Sequence, residues 1–181
     1  MSTIIDGTTG ITTDGLIVGV EKAQLIKLAT SQATTSGTTV DFTSIPTWAK
    51  KITIMFSGVS TTGTSSPIIQ IGLTSVETSG YLSSATTLTN AAAVAVASYT
   101  SGFGIGSLLA ANTISGHITL ITLGSNVWTA SGTVKQSTTI TSSFAGDKTT
   151  SGVIDRVRIT TVGGTDTFDA GSINILIEGS I

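Results

Sequence analysis

The chain has 181 residues, enough for one domain with a real core, and no cysteine, so disulfides and Cys-based metal sites are excluded. Only 10% of it is charged, with a net charge of −2 and a pI near 5.1; this argues against binding a phosphate backbone, which needs clustered Lys and Arg. Ser and Thr make up about a third of the sequence, a bias that predicts an all-β protein whose exposed faces are solvated by hydroxyls, because Thr suits pleated surfaces and Ser suits turns.

Residues 1–37 read as an N-terminal arm. Two small units, IIDGTTG and ITTDGLIVG, each join an apolar cluster to an Asp-Gly turn (Asp6-Gly7 and Asp14-Gly15). Neither can bury its apolar residues alone, so the arm needs the main domain or a second chain. The segment carries no basic region and no apolar core of secretory type, and no stretch approaches the roughly 20 apolar residues of a membrane span. The longest apolar run, Ala91 to Ala97, is too short for that. Glu21 to Ala29 is the best helix candidate in the chain, though its short length equally suits a strand.

From residue 38 to 181 the pattern is strand, turn, strand. After Pro46 and Trp48, which suit a corner, Ile52, Ile54 and Phe56 alternate with Lys51, Thr53, Met55 and Ser57. This is the period of a half-buried antiparallel strand. Ile69, Ile71 and Leu73 alternate with Gln70 and Gly72, and weaker strands follow over Tyr81 to Thr89 and Ala91 to Tyr99. A Gly-rich bend carries Phe103, Ile105 and Leu108. Thr113 to Leu123 puts Ile114, Ile118 and Leu120 on one face; Asn126 to Gln136 keeps Trp128, Ala130 and Val134 in phase. Thr138 to Ala145 follows; Val157 and Ile159 then point in with Arg156 and Arg158 out, and Ile173, Ile175 and Ile177 close the chain. About eight to ten strands at this spacing, with almost no helix between them, predict an antiparallel β-sandwich of jelly-roll type.

Residues that could carry chemistry are sparse. His117 is the only histidine and sits mid-strand with no acidic neighbour in sequence, which reads as a surface or packing residue rather than part of a triad. Asp166 and Asp169 can offer oxygens to Ca²⁺, but the reading preferred is two turn residues. Gly102, Gly104 and Gly106 lack the dinucleotide spacing and any βαβ unit, so they mark a bend. Trp48, Tyr81, Tyr99 and Trp128 are the candidate ligand or subunit contacts, either as a sugar-stacking platform or as anchors in a core or interface. No catalytic residue, metal ligand or cofactor is assigned, and no enzyme activity is expected.

The opening IIDGTTGITTDG resembles GTTGIT-type segments of tail fibres and other appendages of tailed bacteriophages. VDFTSIPTWAKKITIMFSGVSTTGTSSPIIQIG, with the later GYLSS, resembles a module of phage tail-fibre and virion proteins. Together they cover under a third of the chain. The resemblance implies a virion component, fibre, tip or decoration, that forms a homotrimer and often touches the bacterial surface. The arm's unburied apolar pieces and the low charge predict that it docks onto another virion protein or a sister subunit, while the charge and the lack of a long apolar run predict no nucleic-acid partner and no membrane insertion. The other function these residues suggest is a lectin-like module that recognises bacterial surface polysaccharide.

Overall fold

The computed structural model describes residues 3–6, 10–13, 24–91 and 94–180. These form fifteen strands and no helix. Two short strands, β1 (Thr3–Asp6) and β2 (Gly10–Thr13), make an antiparallel hairpin with Ile5 opposite Ile11. The second Asp-Gly turn of the arm, Asp14-Gly15, lies outside the described residues.

β3 (Gln24–Leu28) occupies part of the helix candidate and is a strand. Nine residues nucleate a helix poorly, whereas β15 (Phe168–Ser180) supplies a ready ladder in which Leu28 lies opposite Leu176 and Ile26 opposite Glu178. β4 (Gln32–Ala33) pairs with the same strand. Residues 24–33, grouped with the arm on sequence grounds, are therefore part of the large sheet.

The remaining strands are β5 (Val40–Thr43), β6 (Ala49–Thr61), β7 (Pro67–Gly72), β8 (Leu82–Thr89), β9 (Val94–Tyr99) and β10 (Phe103–Gly104), followed by β11 (Ile114–Gly124), β12 (Val127–Lys135), β13 (Ile140–Thr149) and β14 (Arg156–Thr161). They build an all-β sandwich of two antiparallel sheets. The large sheet runs β3-β15-β6-β11-β12-β13-β8-β9, with β4 beside β15, and the small sheet runs β10-β7-β14-β5. Nine strands against four is a more lopsided division than the eight strands of a plain jelly roll.

The core lies between the sheets. The large sheet contributes Ile52, Ile54, Ile118, Leu120, Ile173, Ile175 and Ile177. The small sheet answers with Val40, Phe42, Ile69, Ile71, Val157 and Ile159. Their registers align, with Ile54 opposite Ile118 and Ile175, and Ile71 opposite Val157. Period-two alternation thus places every second residue inside along part of β6, β11, β14 and β15. β7 departs from it: all six residues are buried, Gln70 included. The Gly-rich bend covers its second face, and the Gln70 amide donates to the Ser101 carbonyl at 2.9 Å. That bend must be slim. A Cβ on Gly104 would stand 2.1 Å from the Tyr99 ring, and one on Gly102 would press on Ile68.

β6 and β15 are long and bent by irregularities between Phe168 and Ser172. Gly171 sits there with φ near +91°, and an added Cβ would strike the Gly58 carbonyl at 2.5 Å, so the bend requires glycine. Ile45 and Pro46 form the corner before β6: Ile45 N–H donates to Asp155, and Ala49 N–H closes a turn onto Pro46.

Candidate interaction surface

The four aromatic candidates do not gather into one platform. Tyr81 is fully buried, and its ring meets Phe103 edge-on at 5.0 Å between centroids. Its hydroxyl accepts from the Ile71 N–H at 2.8 Å and donates to the Glu77 carbonyl at 3.0 Å, tying the loop after β7 to the core. Burial pushes its phenol well above the ordinary value; the backbone hydrogen bond at Ile71 opposes this only partly. Tyr99 is buried over Gly104, with its hydroxyl donating to Ser66 Oγ at 3.1 Å. Trp128 is buried on the inner face of β12, and Trp48 packs half-buried against the core. Three of the four thus serve the subunit's own interior, where they join Phe42, Phe56, Phe103, Phe144 and Phe168 in a core rich in large apolar side chains.

Charge is concentrated at a few pairs. Lys148 and Glu77 meet at 2.5 Å, with the lysine side chain only 8% exposed and its ammonium 5.4 Å from the centre of the Tyr81 ring. Glu77 also accepts from the Ser151 N–H at 2.7 Å. Burial raises the Glu77 carboxyl, but the hydrogen bonds from Lys148 and Ser151 and the lysine charge outweigh it, leaving the group below its usual range. On the outer face of the small sheet, Arg158 grips Asp41 through two bonds of 2.7 and 2.8 Å, and that hydrogen-bonded charge pair raises the guanidinium's pKa. Arg156 likewise holds Asp155, whose carboxyl is lowered first by that hydrogen bond.

Asp166 and Asp169 have separate employments. Asp166 accepts from the Ser65 N–H at 2.8 Å, and Asp169 accepts from the Ser60 hydroxyl. Among the described residues, no three His, Asp or Glu side chains converge as metal ligands. His117 is exposed on the outer face of the large sheet, between Met55 and Thr133 in the ladder. With Thr119, Ser131, Thr133 and Ser143 it lines an open depression of about 440 Å³. This surface is hydroxyl-rich and nearly uncharged.

The feature the sequence reading missed lies at the end of the large sheet. Between Glu77 and Lys135 the chain has no Asp, Glu, Lys or Arg. Within that stretch β8 and β9 expose Leu82 (68%), Leu88, Val94 (62%) and Val96 (71%). Leu88 lies opposite Val94 and Thr86 opposite Val96, so the apolar side chains share the outer face. Among the described residues β9 pairs only with β8, and its other edge has no partner there. The alternation of Val94 and Val96 with Ala95 and Ala97 was the available signal; what hid it was that alternation shows two faces without telling which is covered. At the opposite edge, Ile26 and Leu28 of β3 are also exposed.

Comparison of the chain with protein-family models, curated proteins and solved structures finds no match. The candidate surface therefore stands on its own geometry.

Proposed function

We propose that this chain is a structural subunit of a tailed-bacteriophage particle, a fibre, tip or decoration protein, which works as a homo-oligomer. The observation that carries the reading is the exposed apolar ground on β8, β9 and β3, in a chain with few charges to keep copies apart. The β1–β2 hairpin supports it, since a two-stranded ribbon is marginal alone and this one joins neither sheet of the sandwich. The hairpin suits attachment to another virion protein, as the tail-fibre-like opening segment implies. That resemblance also implies three copies. The test is to purify virus particles from the host that carries the gene and probe them with antiserum against the chain. Signal that bands with the particles supports the reading, and signal left wholly in the soluble fraction overturns it.

A second reading rests on the hydroxyl-lined depression around His117. Neutral, hydroxyl-rich ground of this kind suits a polysaccharide, so the face supports glycan recognition at the bacterial surface. An array of bacterial glycans tests it directly: binding lost in T133A and S143A variants favours it, and no binding removes it.

A further inference from the structure

We infer that the free edge of β9 is a self-association site: it takes β9 of a second copy of this chain, antiparallel and related by a two-fold axis. The inference rests on the homo-oligomer reading above and names a two-fold contact, which by itself joins copies in pairs rather than in the threes that the resemblance implies.

The small sheet is too narrow to cover the large one. β10 reaches the Tyr99 end of β9, where Tyr99 is buried and Ala97 half-buried. At the other end, Val94, Ala95 and Val96 are exposed. Val94 and Val96 lie on the outer face and Ala95 on the inner, so this end is apolar on both sides. Among the described residues its backbone edge is unpaired as well. Proteins usually guard such an edge with lysine, proline or a bulge. β9 has none of these, and its pairing with β8 runs in unbroken register from Val94 to Tyr99.

The composition selects the occupant. What an open strand edge accepts is another strand. A charged partner finds no complement here, because neither β8 nor β9 carries a charge. A second copy brings no like charges together, and its pattern is self-complementary. If the two-fold axis passes through Ala95, then Val94 of one copy faces Val96 of the other and the reverse holds. The two stripes of Leu88, Val94 and Val96 then merge into one. Antiparallel pairing continues the sense of the sheet, and cross-strand apolar pairs are what stabilise such a ladder.

The chain contains no cysteine, so a single introduced one reports without background. Opposed Cα atoms in an antiparallel pair lie about 4.5 to 5.5 Å apart, within the span of a disulfide. Full-length A95C should therefore form a disulfide-linked dimer on mild oxidation. L123C, whose site is 73% exposed but lies on the β11–β12 hairpin, should not link at a comparable rate. Adding V96K to A95C should abolish the link. V96K alone should halve the mass measured by light scattering, while its circular dichroism stays near wild type because the site is exposed in the single subunit.

An unchanged mass in a folded V96K variant overturns the inference, as does A95C linking no faster than L123C. A trimer that V96K leaves intact would mean that copies meet elsewhere. That outcome defeats the β9 contact and leaves the structural reading standing, because association with particles is measured separately.

Discussion

The two ends of the sandwich treat the same alphabet of Val, Ile, Ala, Ser and Thr in opposite ways. At the β7–β14 end, both faces of a strand are covered. Ile69 and Ile71 meet the large sheet, while Ile68 and Gln70 lie under the Gly-rich bend. At the β9 end, one strand carries Val94, Ala95 and Val96 with neither face covered. The contrast shows that burial here is set by where the partner sheet stops, not by the hydrophobicity of the strand. It also separates two tasks. The covered end holds the fold together, and the uncovered end is available to a neighbour.

The largest expected effect tests that division directly. I71A removes a fully buried side chain at the centre of the small sheet and should cost about 2 to 5 kcal/mol. V96A, at a position 71% exposed, should change the stability of the isolated subunit by no more than about 0.5 kcal/mol. Denaturant melts of the two variants settle the matter. If V96A costs as much as I71A, the β9 end is structural and the contrast fails.

Next comes the pair at the rim of the covered region, with its lysine buried and its glutamate side chain 22% exposed. E77Q leaves the Lys148 ammonium buried without its carboxylate and should cost about 3 kcal/mol near neutral pH. The pH dependence has a definite sign. The folded-state pKa of Glu77 lies below its ordinary value of 4.5, so its contribution is present above the unfolded-state pKa. It is lost as pH falls through the folded-state pKa. The stability gap between wild type and E77Q should therefore be widest near neutrality and close as the medium is acidified below about 4.5. K148M added to E77Q should recover much of the loss, because two well-packed neutral side chains can replace a buried pair. A gap that stays constant from pH 7 to strong acid would show that the loss is one of packing.

Much of this architecture was open to sequence reasoning. β6, β11, β14 and β15 each bury every second residue along at least part of their length, and for such strands the period alone identifies the core face: Ile52 and Ile54, Ile118 and Leu120, Val157 and Ile159, Ile173 to Ile177. β7 was legible as a strand but not as a wholly buried one. Gln70 looks like a solvated residue until the distant Ser101 carbonyl is brought to it. β3 illustrates the complementary difficulty. Its local spacing fits a helix as well as a strand, and the ladder with β15, nearly the whole chain away, makes the choice. The exposed apolar surface of β8 and β9 was the least legible part. The run from Ala91 to Ala97 was plain as an apolar segment too short for a membrane, yet the exposure of Val94 to Val96 follows from the width of a sheet formed by other residues. Tyr81, Tyr99 and Trp128 were sensible contact candidates by type, and the core claimed them for reasons of volume that no local pattern reveals.

A smaller effect should follow removal of one hydroxyl. In Y81F the ring and its contact with Phe103 remain, while the Ile71 N–H and the Glu77 carbonyl lose a partner. An unmet buried group costs about 1 to 3 kcal/mol. The loss should be local, with faster amide exchange over residues 71–77 and little change in β9. Exchange that speeds up equally across β8 and β9 would mean that the tyrosine bond organises both ends of the sandwich.

The smallest effect belongs to the outer face of the small sheet. Arg158 and Asp41 meet through two good bonds, but their side chains are 35% and 37% exposed, so water screens them. D41N should cost no more than about 1 kcal/mol, as for other exposed pairs. That cost should shrink further in high salt, where screening extends only a few ångströms. The variant sharpens the comparison because β5 and β14 also share Val40, Phe42, Val157 and Ile159 beneath the pair. If apolar burial holds this end, D41N should melt close to wild type and keep its β-sheet signature. A loss as large as that of I71A, reversed by salt, would instead make the charge pair the fastening of β5 and would move the source of stability from the interior to the surface.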